Sequence, residues 1–225
     1  MKISDRELGI IIGILMSDGH IQKNKLRMDI TSKNLEILRT MQKIFRKNFQ
    51  VESKIRKCNS NKLGTSFNLG INNASLTKFF ISLGVPRGSK TNTRFIVPNI
   101  VKKSEECFKG FISGLFSGDG TVEKVSKDRI AIAFEIWKRK DLFNNAIEFV
   151  EEIKFLLNKF FGIDSFIIKP HRINVRVDGT ISMPVKLRIK KTESIFKFAK
   201  EIKLLDKNKQ MKIEAWLASR SGAVY

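Results

Sequence analysis

Cysteine, histidine and tyrosine are scarce in this sequence, and their scarcity excludes several classes of protein. The 225 residues include 2 cysteines, 2 histidines and 1 tyrosine. Because Cys58 and Cys107 form no Cys-x-x-Cys pair or cysteine and histidine cluster, we expect neither a zinc module nor a disulfide scaffold. Few cysteines also fit a reducing compartment, so we expect an intracellular protein, cytoplasmic in a prokaryote or organellar otherwise.

Acidic residues are half as frequent as basic ones. Asp and Glu number 22 against 43 Lys and Arg, which gives a formal net charge of +21 and a pI near 10.1. Such a chain attracts polyanions, so nucleic acid is the leading partner. A solvated basic surface or a ribosomal-type binder is the alternative explanation of the charge. Hydrophobic residues make up 42%, which is typical of a globular protein.

Long apolar runs are also missing. The stretch from Leu8 to Met16 is far shorter than the roughly 20 residues that a membrane span needs. Acidic as well as basic residues precede it, and Asp-Gly closes it instead of a small-residue cleavage site. We therefore expect neither a signal peptide nor membrane attachment.

One short stretch occurs twice in the chain. Residues 11–19 read IIGILMSDG, and residues 112–120 read ISGLFSGDG. Each copy is an apolar run that ends in Asp-Gly, at Asp18 and Asp119. Self-similarity over such a long period predicts two pseudo-equivalent halves.

Each copy is predicted to be a helix with a marked beginning and end. Ser4 starts a Ser-x-x-Glu capping box, and Ser104 precedes an acidic first turn. Gly19 and Gly120 suit a left-handed C-terminal stop. Small residues four apart give each helix a narrow face on which another helix can pack closely. The residues predicted to form this helix interface are Gly13, Ser17, Gly114 and Gly118.

Close packing of the two helices would bring Asp18 and Asp119 together at one end of the pair. Two carboxylates about 4 Å apart repel by roughly 4 kcal/mol at an effective dielectric constant near 20. Divalent cations would offset this repulsion, so the paired aspartates predict a metal site. The alternative is that both stretches are ordinary core helices and that each Asp-Gly only turns the chain. This alternative would account for a single copy, but it accounts poorly for two matched copies.

The two stretches resemble the LAGLIDADG motif of homing endonucleases. They match its central glycine and its final Asp-Gly, whereas Met16 and Ser117 stand in place of its first acidic residue. The resemblance covers the whole chain as two tandem repeats. It implies an intron-encoded, single-chain endonuclease that makes a metal-dependent staggered double-strand cut in a long DNA site. An RNA maturase, or a non-catalytic DNA-binding protein with the same fold, is the alternative.

The elements along the chain predict an α+β fold of two αββαββα repeats. We expect one repeat in residues 1–103 and the other in residues 104–225, with an extra C-terminal helix. Alternating residues predict strands at 25–31 and 129–137, and Pro184 argues for an edge strand in the second half. The resemblance implies that the antiparallel sheets form a DNA-binding saddle and that the motif helices pack at its centre.

The polar sides of the predicted strands are rich in Lys, Arg and Asn. Arg and Asn read guanine and adenine edges, and Lys neutralises phosphate, so we expect these sides to bind double-stranded DNA. The alternative for any one residue is an ordinary solvated strand face. The predicted DNA-binding residues are Lys25, Arg27, Lys54, Arg56, Asn68, Asn72, Arg129, Arg172, Asn174, Arg176, Lys186, Arg188 and Lys190.

The resemblance also implies a catalytic site. Asp18 and Asp119 would hold about two or three Mg²⁺ ions together with the backbone carbonyls of Ser17 and Gly118. Mn²⁺ would replace Mg²⁺, and Ca²⁺ would bind without supporting cleavage. Lys190 follows the last strand of its repeat and would complete the catalytic set.

The same resemblance implies the partners. Two motifs in one chain indicate a monomer without an obligate protein partner, and intron RNA is a partner only for the maturase. The Met-Lys start and Ala-Val-Tyr finish differ from the ends that protein splicing requires, so we expect a free-standing enzyme and no intein.

Overall fold

The computed structural model describes residues 3–58, 64–168 and 173–221. The chain forms two compact units. Unit 1 comprises Met1–Lys90 with Pro98–Gly118, and unit 2 comprises Thr91–Val97 with Asp119–Tyr225. The second motif helix therefore belongs to unit 1, although the sheet that follows it in the chain belongs to unit 2.

Unit 1 combines helices with one antiparallel sheet. Its elements are α1 (Asp5–Met16), β1 (Gly19–Ile21), β2 (Met28–Ser32), α2 (Leu35–Phe49), β3 (Lys54–Lys57), β4 (Phe67–Ile71), α3 (Ala74–Ser82), α4 (Asn99–Lys103) and α5 (Glu105–Gly118). The strand order in the sheet is β1-β2-β4-β3.

Unit 2 repeats this arrangement with two longer central strands, β6 and β9. Its elements are β5 (Gly120–Lys124), β6 (Ile130–Arg139), α6 (Phe143–Phe161), β7 (Phe166–Ile168), β8 (Asn174–Val175), β9 (Ile181–Ile189), α7 (Thr192–Glu201) and α8 (Lys207–Ser221). The strand order is β5-β6-β9-β7, and β8 pairs with the free part of β9.

The fold class predicted from the sequence is confirmed. Both sheets are antiparallel and have equivalent strand orders. Helices and strands also alternate in the same order along the two halves of the chain. The sequence pattern did not locate the short helix α4 or the strands β1, β5 and β7. Within the described residues, every helix is too short or too polar to cross a bilayer.

Helix α2 illustrates how local signals produce an element that packs on the sheet. Asn34 caps its start by accepting a hydrogen bond from the amide of Glu36 at 3.0 Å. Its end is marked by Gln50, which adopts a left-handed conformation with φ 53°. Between these caps, Leu38 and Phe45 are fully buried, as are the core-facing residues of β2 and β4. The apolar stripe of α2 thus covers one side of the sheet.

The predicted left-handed stops at the ends of the motif helices are wrong. Neither Gly19 nor Gly120 has a positive φ. They are the first residues of β1 and β5 and have an extended conformation. At Gly19 the reason for glycine is space, because a Cβ atom would lie 2.6 Å from the Cα of Leu15. The chain therefore turns directly from each helix into a strand.

The predicted edge position of Pro184 is also wrong. Pro184 pairs with Trp137 in β6, and β9 lies between β6 on one side and β7 and β8 on the other. On that other side, no described residue pairs with residues 183–185. Pro184, which lacks an amide donor, therefore lies in a central strand of the sheet and not at its edge.

Candidate nucleic-acid interface

Helices α1 and α5 pack through backbone contacts made possible by small residues. A Cβ atom added at Gly13 would lie 2.2 Å from the carbonyl oxygen of Phe111, and one added at Gly114 would lie 2.5 Å from that of Ile10. Gly110 contacts the carbonyl of Arg6 in the same way, at 2.0 Å. Because residue numbers rise together along both helices, the helices run parallel, and both C-terminal ends lie at the same end of unit 1.

Two of the small residues at this interface escaped the sequence analysis. Gly9 and Gly110 extend the predicted pairs by one step of four, so that the small positions on α1 are 9, 13 and 17 and those on α5 are 110, 114 and 118. A Cβ atom at Gly9 would lie 2.0 Å from the carbonyl oxygen of Cys107. The spacing was visible in the sequence and could have identified both.

The shared end of the two helices places a carboxylate against a glycine. A Cβ atom added at Gly118 would lie 2.2 Å from the hydroxyl of Ser17 and 3.1 Å from Oδ1 of Asp18. Gly118 is bonded to Asp119, the second motif aspartate. Asp18 is half-buried, whereas Asp119 is exposed. The absence of a side chain at Gly118 leaves room for the Asp18 carboxylate.

Lys90 is a residue of this site that the sequence did not reveal. Its ammonium group donates a hydrogen bond to the backbone carbonyl of Ser17, at the C-terminal end of α1. A cation at this position stabilises the negative end of the helix dipole. Lys90 begins a 3₁₀ helix of three residues, and no periodicity relates it to α1, so no sequence signal could have identified it.

The oxygen donors at this end of unit 1 suit a hard divalent cation. The Asp18 carboxylate is an oxygen ligand of the kind that Mg²⁺ and Mn²⁺ prefer. The Ser17 carbonyl, predicted as a further ligand, already accepts the Lys90 hydrogen bond. Within the described residues, no group of three or more His, Cys, Asp or Glu side chains could hold a metal ion. Any ion here would therefore depend on few carboxylates.

The sheet of unit 1 presents polar side chains on the side opposite its helices, which we call its outer face. Thr31, Asn68 and Arg56 lie side by side on β2, β4 and β3, and the amide of Asn68 donates to the hydroxyl of Thr31 at 3.1 Å. A cavity of about 310 Å³ opens here. It is lined by five of the predicted DNA-binding residues, Arg27, Lys54, Arg56, Asn68 and Asn72.

Strand β2 starts later than the sequence predicts. Lys25 and Arg27 precede it, and Lys25 is exposed in the loop after β1. Arg27 nevertheless reaches the outer face, where its guanidinium lies over Gly70 and pairs with Asp29 at 2.8 Å. Gln22 donates to the other oxygen of Asp29 at 2.7 Å. One carboxylate therefore holds two side chains in place.

The outer face of the unit 2 sheet has the same arrangement around Glu123. This β5 carboxylate pairs with Lys186, and its second oxygen lies 3.1 Å from the guanidinium of Arg188. Ala131 and Ala133, which alternation assigned to the exposed side of β6, are fully buried. They lie opposite Glu123 and Arg188, whose longer side chains cover such small residues.

The remaining predicted residues of unit 2 are dispersed. Arg129 is exposed just before β6, and Asn174 is exposed in β8. Arg176 donates to the hydroxyl of Thr91 at 2.6 Å. Arg172 lies outside the described residues.

Lys190 follows the last residue of β9, with its ammonium 4.9 Å from the centre of the Phe166 ring. It lies opposite the start of β6, whereas Asp119 precedes the first residue of β5, which pairs with Phe134. These positions are about four residues, or about 13 Å, apart along β6. That separation exceeds the length of a lysine side chain. The catalytic role of Lys190 stays a prediction, and this geometry favours a role in binding.

Comparison with protein families identifies both halves of the chain. The model of the LAGLIDADG-like domain matches residues 5–84 and 106–203. Among curated proteins, the tRNA-splicing ligase RtcB of Methanopyrus kandleri is 26% identical over 181 residues, which are 73% of this chain and 18% of the ligase. The replication factor C small subunit of Methanocaldococcus jannaschii is 28% identical over 176 residues, which are 72% of this chain and 9% of that protein. The chain thus spans less than a fifth of these relatives.

Solved structures show the same fold at low sequence identity. Full-length WhiA from Thermotoga maritima superimposes with a TM-score of 0.61 at 15% identity, over 98% of this chain and 62% of WhiA. The homing endonuclease I-WcaI, bound to its DNA recognition sequence, gives 0.59 at 15% identity over 93% of this chain and 88% of that one. I-DmoI in complex with DNA and Mn gives 0.53 at 18% identity, over 88% and 96%, and I-DmoI also crystallised with DNA and Ca.

Proposed function

The chain belongs to the LAGLIDADG-like domain family, and from this membership we propose that it is a site-specific DNA endonuclease. Its substrate is a long double-stranded DNA site, which it cuts in both strands with the help of a divalent cation. The observation that carries the proposal is the close contact between the Asp18 carboxylate and Gly118, the residue bonded to Asp119. A protein that only bound DNA would gain nothing from carboxylates beside a phosphate backbone.

In the proposed reaction, Asp18 and Asp119 would hold the divalent cations. Such ions, when bound, activate a water molecule and stabilise the leaving oxygen of the phosphodiester. The Lys90 ammonium, fixed at the Ser17 carbonyl, adds positive charge next to Asp18, where the scissile phosphate would lie. The basic outer faces of the two sheets bind the DNA backbone and position the target.

The curated relatives support a mobile genetic element as the origin of the chain. A tRNA-splicing ligase and a replication factor subunit have unrelated activities, yet each shares only a small segment with this chain. A segment shared by otherwise unrelated hosts is best explained by transfer between genes. We therefore propose that the enzyme promotes the spread of its own intervening sequence, such as an intron.

A second candidate is a DNA-binding protein that does not cut. It is favoured by the hydrogen bond from Lys90 to the Ser17 carbonyl, which occupies an oxygen that a metal ion would otherwise use. The fold occurs both in homing endonucleases and in WhiA, so the fold alone does not distinguish cutting from binding.

Cleavage of a DNA library by the purified chain decides between these candidates. We would incubate a randomised plasmid library with Mg²⁺, Mn²⁺, Ca²⁺ or EDTA, and sequence the ends produced. We expect cleavage at one long site with Mg²⁺ or Mn²⁺ and none with Ca²⁺ or EDTA. On that site, Asp18→Asn and Asp119→Asn should abolish cleavage but retain binding, because each removes a metal ligand and a charge that repels phosphate.

The matched control is Asp206→Asn, which removes the same charge from a half-buried position before α8 and keeps an oxygen that can accept from the Lys209 amide. It should cut at the parental rate. Full cleavage by Asp119→Asn would rule out the proposed metal site. If the chain binds one site tightly but cleaves it with none of the metal ions, it is a DNA-binding protein that does not cut.

A further inference from the structure

Unit 2 contains a cavity that the proposed catalytic site does not use. Its volume is about 550 Å³, and its lining residues come from the ends of β5 and β9, the starts of β6 and α7, and α8. Half of the residues that line it are basic, and none is acidic. We call it the cation-lined cavity, and its charged members are Arg129, Arg188, Lys190, Lys191 and Arg220.

Most of this positive charge is uncompensated. Lys191 pairs with Asp164 at 2.8 Å, and Arg188 pairs with Glu123 at 3.1 Å. Arg129, Lys190 and Arg220 form no ion pair with a carboxylate anywhere in the described part of the chain. Like charges gathered around one cavity repel, and an anion inside it would relieve that repulsion.

Arg188 supplies a second indication that the cavity takes an anion. Its Nε atom is buried and has no hydrogen-bond partner among the described residues, although Nη2 of the same guanidinium is paired with Glu123. A buried donor without a partner is costly, and such groups in folded proteins commonly await a ligand or a water molecule. A guanidinium binds phosphate oxygens well, because its donors match their spacing.

Helix α8, which has no counterpart in unit 1, builds one wall of the cavity. The indole nitrogen of Trp216 and the guanidinium of Arg220 both donate to the carbonyl of Asp128, at 3.1 and 2.7 Å. The Trp216 ring also packs on Phe196, with centroids 5.3 Å apart. These contacts tie α8 to the β5–β6 turn and hold Arg220 beside the cavity.

We propose that the cation-lined cavity is a phosphate-binding site. Its volume accommodates a phosphate together with an attached sugar. In the nucleic-acid complex, and resting on the proposed function, the occupant is a backbone phosphate, which α8 adds to those reached by the sheet. A free phosphate ester has the same chemistry, and the two sources are separated by experiment.

The first arm of the test uses inorganic phosphate and no DNA. The chain has two tryptophans, Trp137 and Trp216, and only Trp216 lines the cavity. In ¹⁵N-labelled protein, with peaks assigned by Trp137→Phe, phosphate should shift the Trp216 indole resonance saturably, whereas chloride of equal ionic strength should not. Arg129→Gln/Lys190→Gln should weaken phosphate binding at least about tenfold.

The second arm measures affinity for duplex DNA against salt. Loss of one phosphate contact should lower the slope of log affinity against log salt by about 0.9 in Arg129→Gln/Lys190→Gln. The control is Lys200→Gln/Lys212→Gln, which makes the same charge change on exposed residues outside the cavity. If the slope falls further in Arg129→Gln/Lys190→Gln than in the control, the cavity binds a backbone phosphate.

The two arms give distinct results if either proposal fails. A phosphate-dependent shift of Trp216 with a DNA slope equal to that of the control assigns the cavity to a free phosphate ester. Absence of any Trp216 shift overturns the site, whatever the slope. If the parent chain binds no duplex, the proposed endonuclease function falls, while the phosphate arm still decides the cavity.

Discussion

Single carboxylates organise the basic side chains on both outer faces. Asp29 holds Arg27 and Gln22, and Glu123 holds Lys186 and Arg188. A side chain that is already held in place loses less conformational entropy when it meets DNA. The paired carboxylate also weakens indiscriminate attraction to phosphate. In the proposed function, these acids would therefore favour the target site over random sequence.

Glu123→Gln should make the protein bind random DNA more tightly. The substitution frees two cations and raises the net charge by one, so affinity for a non-cognate duplex should rise several-fold and its salt dependence should become steeper. Folding stability should change by no more than about 1 kcal/mol, because the ion pairs are partly exposed. Fluorescence anisotropy over a salt series measures the affinity, and chemical denaturation measures the stability.

Glu151→Gln is the matched control, since it removes the same charge from an exposed position on α6. If both variants change DNA affinity equally, the effect comes from net charge, and Glu123 does not restrain its neighbours.

The two cysteines should differ sharply in reactivity. Cys107 is fully buried in α5, and burial, helped by the nearby Asp5 charge, raises the pKa of its thiol to about 12. The thiolate is the reacting form, so Cys107 should be nearly inert at neutral pH, whereas the partly exposed Cys58 should react. Titration with a thiol reagent should label one cysteine in the native protein and two in denaturant. Rapid labelling of both without denaturant would show that α1 and α5 separate readily.

At the scale of elements, the contact between α1 and α5 depends on backbone proximity. Gly13→Ala should destabilise the protein by about 1–3 kcal/mol, because its Cβ would lie 2.2 Å from a backbone oxygen that no rotamer change can move. The added Cβ would push α1 away from α5 and so shift Asp18 relative to Gly118. A displacement of about 1 Å can cost on the order of a hundredfold in cleavage rate. The midpoint temperature of thermal unfolding and the cleavage rate should therefore both fall.

Arg6→Ala serves as the control for this prediction. Arg6 lies on α1 with an exposed side chain, although its backbone contacts α5. Its replacement should change stability by no more than about 0.5 kcal/mol and leave cleavage unaffected. Equal behaviour of Gly13→Ala and Arg6→Ala would mean that the helices tolerate a wider spacing.

At the scale of the whole molecule, the charge of +21 should dominate the energetics of binding. The logarithm of affinity for duplex DNA should fall linearly with the logarithm of salt concentration, by about 0.9 per phosphate neutralised. A protein that contacts DNA along two basic sheets should show a slope of several units. Titrations between low and physiological salt measure it. A flat response would point to a small ligand or an acidic protein as the true partner.

The sequence by itself determined the features that depend on near neighbours in the chain. Capping at Ser4 and Asn34, the apolar stripe of α2 and the alternation in β2 each arise from residues two to four positions apart. The duplicated stretches were equally visible, because repetition needs no knowledge of packing. These patterns were enough to predict the fold class and the polar outer faces, and to nominate Asp18 and Asp119.

Only the tertiary structure decided which distant residues meet. Lys90 reaches the end of α1, and Arg220 forms a wall of the cation-lined cavity beside Arg129. Pro184 occupies a central strand, because β9 lies between β6 on one side and β7 and β8 on the other. Each outcome depends on how whole elements pack against one another, and that packing is set by contacts between segments that no local periodicity connects.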